Sequence, residues 1–362
     1  MPTFTADQLR HVGQAIFEAV DTPRDVAQQV ANSLVTNNLM GHDSHGVIRI
    51  PSYLRKISEG QIVPQADPQV VRETPTTALL DGHWAFGQVV AARGMEIAMA
   101  KAREQNIAAV GMFHCPHIGR VGEYSAMAAQ QGMIGIAVCN SGPPGGIVAP
   151  FGGRRRFFST NPLALAVPAA EHPPLLADFA TSVVAEGKVR VARNRGKQIP
   201  EGWIVDSEGN ASTDPHDLYR GGALLPFGAH KGYGLALFID VLGGILTGTG
   251  CTAMPDYDGG NGTFMVAIDI QSFHPLAEFK ASVDQLFAAV KEVPLAPGVE
   301  EILVPGEIEY RTQAQREQEG IFVEEVTWSQ IIEAVQGLGL EVESLLQAKE
   351  PVGQLVGGAH GR

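Results

Sequence analysis

Cysteine is scarce in this chain: three residues in 362, Cys115, Cys139 and Cys251, with no C-x-x-C pair. An odd count without paired spacing argues against a disulfide framework and fits a reducing, cytoplasmic setting. Basic charge is short as well, with 26 Lys and Arg against 39 Asp and Glu, a net charge of -13. Nucleic-acid binding needs clustered cations to meet phosphates, so no nucleic-acid partner is expected. A small anionic ligand remains compatible, because a local pocket can be positive inside an acidic protein. Long hydrophobic runs are missing. No window reaches the roughly 18 uninterrupted apolar residues of a membrane span, so no membrane association is expected. The opening MPTFTADQLR also lacks the charged-then-apolar pattern of a secretory leader.

What is present is enough apolar material for a large core, 44% of residues, and 42 glycines, which suit turns and close backbone approaches. The first 60 residues read as helices. Thr5-x-x-Gln8 is a capping-box pattern, followed by Leu9, Val12, Ile16 and Val20 at helical spacing. Thr22-Pro23 reads as an N-cap followed by a proline at the first helical position, with Val26, Val30 and Leu34 as the next stripe. Gly41 and Gly60 close the second and third helices. From about residue 70 short apolar runs take over: TALLDG, IAAVGMF, MIGIAVCN, LALAVP and PLLADFA. Bounded by Gly, Pro or polar residues, they read as buried strands, and the helical window GQVVAARGMEIAMAKAREQN lies between the first two. This alternation predicts an α/β sheet domain. A helix KGYGLALFIDVLGGIL, a strand GTFMVAIDI and a helical end region after Pro305 follow, and the tail VGGAHGR reads as mobile.

Five clusters carry candidate chemistry. Ser44-His45-Gly46 with Arg49 places a hydroxyl, an imidazole and a guanidinium in one loop, and a guanidinium binds a carboxylate bidentately. The plain alternative is that Ser44 caps a helix. His114-Cys115-Pro116-His117-Ile118-Gly119 follows the run IAAVGMF, where α/β sheets collect ligand groups. An imidazole there can carry a proton near neutrality, or serve only structure. Asn140-Ser141-Gly142-Pro143-Pro144-Gly145-Gly146 and Ser159-Thr160-Asn161-Pro162 can cradle phosphates through backbone amides, with Arg154, Arg155 and Arg156 between them, or can be plain turns. Asp178-Phe179-Ala180-Thr181-Ser182 offers an acid at a strand end, for a ribose hydroxyl, an imidazole or a helix cap. Lys231-Gly232-Tyr233-Gly234 allows close approach at a helix start. A sixth pattern, Gly248-Thr249-Gly250-Cys251-Thr252-Ala253, fits G-x-G-x-x-A but follows a helix and opens none, so it is no dinucleotide fingerprint.

In order, these segments resemble the malate/L-lactate dehydrogenase family that has its own, non-Rossmann fold. The matching stretches include GHDSHGVIRIPSYL, HIGRVGEYSAMAAQQGMIGIAVCNS, PFGGRRRFFSTNPLALAVP, DFATS, IPEGWIVDSEGNASTDP, LLPFGAHKGYGLAL and PGE, across nearly the whole chain. The resemblance implies an α/β fold with a non-Rossmann mixed-sheet cofactor domain over 73–304, and a helical domain built from both chain ends, 1–72 and 305–362. It implies NAD(P)-dependent hydride transfer on a small anionic 2-hydroxy or 2-oxo acid, with NAD slightly preferred, in a homodimer. His117 matches the family histidine proposed as proton donor and acceptor, and His45 matches one given that role in other members. Arg49 matches the carboxylate binder, with Ser44 beside it. Cofactor contacts carry over to Ser141, Thr160, Asn161, Pro162, Asp178, Phe179, Ala180, His230, Lys231, Gly306 and Glu307. Where the family usually has Asn-x-x-His-Phe-Gly this chain has His114-Cys115-Pro116-His117-Ile118-Gly119, with the extra His114 and Pro116 bearing on the pocket's shape, and it has Ser159 where the family has glycine.

Two rival readings remain at this stage. A metal-dependent hydrolase would use the His42/His45 and His114/His117 clusters, although their spacing matches no established metal motif and no metal ligand is assigned. A binding protein without catalysis would keep the fold alone.

Overall fold

Leu9, Val12 and Ile16, spaced one helical turn apart, are all buried in the first helix of a computed structural model that describes residues 2–140 and 142–347. The expectations for Ser141 and for the tail VGGAHGR lie outside the described residues. The chain divides into two units: one runs to Gly60 and resumes at Arg311, and the other is Gln61–Tyr310.

The first unit begins with β1 (Thr3–Phe4) and α1 (Ala6–Glu18). The Gln8 amide donates to the Thr5 hydroxyl while the Thr5 N–H donates to the Gln8 side chain, so the capping box forms. α2 (Arg24–Leu39) buries Ala27, Val30, Ala31 and Leu34. Its cap differs from expectation by one residue. Pro23 has φ -53° and ψ 142°, an extended conformation, so it is the N-cap rather than the first helical residue. The Thr22 hydroxyl is buried without a hydrogen-bond partner. α3 (Ile50–Ser58) ends before Gly60, whose φ of +70° continues the chain in the left-handed region. At the other chain end β12 (Ile321–Phe322) pairs antiparallel with β1, followed by α11 (Glu325–Gly337) and α12 (Val342–Gln347).

The second unit is built on a seven-stranded sheet. In chain order its strands are β2 (Gln69–Glu73), β3 (Thr77–Asp81), β4 (Ile107–Phe113) and β5 (Met133–Cys139). β6 (Leu163–Val167), β7 (Leu175–Phe179) and β11 (Thr263–Asp269) complete it. Their spatial order is β2-β3-β4-β11-β5-β6-β7. β3 and β4 are parallel, joined by the crossover helix α4 (Gly87–Gln105), and the other neighbours are antiparallel. The sheet is therefore mixed, and the fold is α/β without being a doubly wound parallel one.

Alternate residues of the central strands bury one face. Leu80, Ala108, Val110, Met112, Ala137, Ala164, Met265 and Ala267 share a core with Val90, Met95 and Ala98 of α4, and with Tyr124 and Ala128 of α5 (Gly122–Gln130). Each fully buried Leu, Val or Met side chain contributes about 1.5–3 kcal/mol.

A smaller three-stranded sheet, in the order β10-β8-β9, combines β8 (Ile204–Val205), β9 (Ala211–Ser212) and β10 (Ala223–Leu224). Around it lie α6 (Glu186–Asn194), α7 (Pro215–Tyr219) and α8 (His230–Ile239), which continues as a π-helical segment over Asp240–Ile245. α9 (Leu276–Lys291) buries Val283 and Phe287, and α10 (Glu307–Glu319) follows.

Candidate active-site residues

Ser44, His45 and Arg49 come together locally. They sit on two successive 3-10 turns, Asp43–His45 and Val47–Arg49. The Ser44 hydroxyl lies 3.0 Å from His45 Nδ1, and Arg49 Nε donates to the Ser44 carbonyl at 2.6 Å. Ser44 is not a helix cap, because the N-cap of α3 is Arg49. The loop is built from beneath by Asn38 of α2. Asn38 Oδ1 accepts from the Val47 amide at 2.8 Å, and Asn38 Nδ2 donates to Asp43 Oδ1 at 2.7 Å. Arg316 then grips both Asp43 oxygens at 2.7 and 3.1 Å. This packing explains Gly46. A Cβ there would stand 2.1 Å from Asn38 Oδ1, so the requirement is steric, and its φ of -86° suits any residue.

His117 lies in the second unit, half-buried, in the loop that leaves β4. The loop is pinned by its backbone. The Trp84 amide donates to the His114 carbonyl at 2.9 Å, the Asn261 amide donates to the Cys115 carbonyl at 2.6 Å, and the Tyr124 hydroxyl donates to the Ile118 carbonyl. The start of α4 presses against the same strip: a Cβ on Gly87 would come within 2.4 Å of the His117 carbonyl oxygen. His114 has a different environment. Its Nδ1 lies 3.0 Å from Asp81 Oδ1, and its ring packs near Trp84 and Phe113. Among the described residues no three His, Cys, Asp or Glu are grouped to hold a metal. Burial raises the Cys115 thiol pKa, and pushes that of Cys139 up to about 12, so neither supplies a thiolate at neutral pH.

Asp178 ends β7 as a structural acceptor. Its Oδ2 takes the Gly122 amide at 2.9 Å and lies 3.5 Å from Nη1 of the buried Arg120. A carboxylate facing the start of α5 stabilises the exposed amide there, although the N-cap of that helix is Val121. Arg120 was not singled out from sequence. Its only signal is a cation directly after His117-Ile118-Gly119, and its partner lies 58 residues away. The neighbouring chain forms one network. The Thr181 amide and hydroxyl donate to the Thr160 carbonyl at 2.8 and 2.9 Å, and the Phe227 amide donates to the Thr181 carbonyl at 2.9 Å. Asn161 is the left-handed residue of its loop, with φ 34°, and Ser159 is not. Ser159 therefore stands in place of the family's glycine without needing left-handed backbone. Phe179 packs edge-on to Phe227, and His230 lies edge-on near Phe151. Gly306 and Glu307 are held separately: Lys291 reaches both Glu307 oxygens at 2.7 Å, and a Cβ on Gly306 would lie 3.0 Å from that of Leu176.

Beside this network is a cleft of about 510 Å³. Phe151, Val183, Leu225 and Pro226 give it apolar walls, Arg154 a guanidinium, and Gly152, Gly153 and Gly228 bare backbone. Arg154 faces Glu208 at 3.2 Å. Arg156 instead turns inward, donating to the Gly222 and Leu218 carbonyls. Apolar walls, a cation and accessible backbone suit an aromatic ring and an anionic phosphate, the parts of a dinucleotide, although among the described residues none of the cofactor contacts expected from sequence lines this cleft.

The sequence profile of the family described as malate/L-lactate dehydrogenase matches residues 4–332. The chain belongs to this family. It is 39% identical over 337 residues to a malate dehydrogenase of Pyrococcus horikoshii, covering 90% of this chain and 92% of that protein. Its structure is similar to that of sulfolactate dehydrogenase from Methanocaldococcus jannaschii, with TM-score 0.87, 35% identity, and 95% and 99% of the two chains covered. It is also similar to Δ1-piperideine-2-carboxylate reductase from Pseudomonas syringae, with TM-score 0.81, 27% identity, and 92% and 100% covered. The protein is therefore a 2-hydroxyacid dehydrogenase, and family membership implies a nicotinamide cofactor. Nothing in these matches supports the hydrolase reading.

Proposed function

We propose that this dehydrogenase interconverts a small anionic 2-oxo acid and its 2-hydroxy acid, with NAD preferred over NADP. The observation that carries the reading is the Ser44-His45-Arg49 loop. A hydroxyl, an imidazole and a guanidinium held within a few ångströms are the groups that bind a carboxylate and an adjacent carbonyl oxygen. Bound nicotinamide dinucleotide supplies or takes the hydride. Arg49 pairs with the substrate carboxylate. The family pattern assigns to His117 the proton that the carbonyl oxygen gains on reduction and loses on oxidation. Ser44 and His45 donate hydrogen bonds that hold the reacting oxygen. Thr160, Asn161, Pro162, Asp178, Phe179, Ala180, His230 and Lys231 are assigned to the cofactor, with Ser141, Gly306 and Glu307 from the family pattern. The preference for NAD rests on Glu208, which engages Arg154 and adds a negative charge that opposes a further phosphate.

A homodimer is part of this proposal. Leu237, Phe238, Val241, Ile245 and Leu246 make an exposed apolar stripe along α8 and the π segment, the kind of surface a second copy covers. Three unpaired, buried cysteines support a cytoplasmic location.

The test is oxidation of NADH and NADPH by the purified chain against a panel of 2-oxo acids that includes one-carboxylate, two-carboxylate and sulfonate members. Turnover with at least one acid, faster with NADH, is expected. No turnover with any acid overturns the reading in favour of a binding protein.

A further inference from the structure

The Thr160-Asn161-Pro162 loop is held by a carboxylate 79 residues further on. Asn161 is fully buried, and its Nδ2 donates to the Ala236 carbonyl at 3.0 Å and to Asp240 Oδ1 at 2.9 Å. Asp240 is 3% exposed and opens the π-helical segment that continues α8. A second asparagine lies beside the same group at the end of β5. Asn140 Nδ2 donates to the Gly250 carbonyl at 2.8 Å, and its side chain is near enough to Asp240 to favour the ionised carboxylate. The π segment makes room for this. A Cβ on Gly244 would stand 2.5 Å from Asn140 Nδ2, and one on Gly243 would stand 3.0 Å from the Asn140 amide nitrogen.

Packing alone does not call for this arrangement. Asn140 Oδ1, Asn161 Oδ1 and Asp240 Oδ2 are all buried without a hydrogen-bond partner. A buried carboxylate is costly, and apolar groups fill a core of the same shape at least as well. Wide π turns and incompletely satisfied polar clusters concentrate where a backbone must be held in one form for function. Asn161 is also in the left-handed region, so its loop depends on side-chain anchors to stay there.

We propose that Asp240 is a positioning residue for the cofactor: by bracing Asn161 it fixes the Thr160–Pro162 loop in the form that receives the dinucleotide. The inference rests on the assignment of that loop to the cofactor. Asp240 touches neither cofactor nor substrate in this role and acts through the Asn161 amide.

The experiment is direct titration of the full-length protein with NADH and NADPH, followed by the fluorescence of the bound nicotinamide, with thermal unfolding as the check on folding. Asp240→Ala is expected to weaken dinucleotide binding about tenfold, the effect of losing a charge-assisted hydrogen bond to a positioning group. Asp240→Asn retains an acceptor for Asn161 and is expected to stay within about threefold of the wild type. In an Asn161→Ala background the further change on Asp240→Ala is expected to fall below about twofold, because the group it acts through is gone. If Asp240→Ala does not fold, Asp240→Ser, too short to span to Asn161, is judged by the same criteria. A folded variant that binds as the wild type, or a loss undiminished in the Asn161→Ala background, overturns the role of Asp240 and leaves the cofactor assignment standing. A wild-type chain that binds neither dinucleotide overturns both.

Discussion

His117 and His45 divide one question between two residues. A general acid contributes roughly 10²–10⁴-fold to turnover. His117→Ala is therefore expected to lose that much kcat while dinucleotide binding survives, as read by steady-state kinetics beside a binding titration. Unimpaired turnover in His117→Ala, with the loss found only in His45→Ala, moves the proton to His45. Asp240 offers a different residue-scale prediction, in stability. Burial pushes its pKa up to about 6 from the ordinary 3.8, against the opposing pull of the Asn161 and Asn140 side chains. The folded state therefore holds a proton that the unfolded chain has released between those values. Stability falls as pH rises through this window, and above it the ionised carboxylate costs the fold on the order of 3 kcal/mol. Asp240→Asn cannot ionise. Its melting temperature relative to the wild type is expected to rise as pH goes from 4.5 to 7, and a difference that stays constant across that range removes the assignment.

At the scale of elements, the loop between α2 and α3 shows how a catalytic candidate is held by a side chain that does no chemistry. Asn38 fills the space a Cβ at position 46 would need, and it satisfies the Val47 amide. Gly46→Ala is expected to cost about 1–3 kcal/mol through the displaced hydrogen bonds, and to lower activity by disordering Ser44 and His45. Thermal unfolding and turnover check it, and a variant unchanged in both shows that Asn38 is dispensable. The same scale shows which elements were legible. The core strands of the sheet were, because their apolar runs are bounded by turn residues. β2 was not: all five of its residues are exposed, so its sequence QVVRE carries no buried face. α9 carries a stripe of only two buried residues, Val283 and Phe287, four apart, on an otherwise largely exposed helix. The two-residue strands β8, β9 and β10 are too short for any period to register.

At the scale of the whole molecule, the stripe on α8 is the feature that monomeric proteins avoid. Phe238 is 69% exposed, with Ile245 and Leu246 beside it on the continuation of the helix. The proposed dimer makes a specific prediction. Phe238→Glu combined with Ile245→Glu is expected to convert a dimer to a monomer in sedimentation analysis, since two buried charges without partners oppose association. A wild-type monomer, or a variant that remains dimeric, removes this surface from the proposal.

The chain by itself determined what depends on neighbours in sequence. Helical stripes, caps, buried strands, the Ser44-His45-Arg49 loop and the family motifs all lie within short windows, where period and turn chemistry act. The tertiary structure alone decided what depends on distant partners. It set Asp178 against Arg120, gave the Asp43 carboxylate to Arg316, and closed Asn140, Asn161 and Asp240 into one buried cluster. None of these pairings has a local signal, because each is selected by the packing of strands and helices that meet only after the chain has folded.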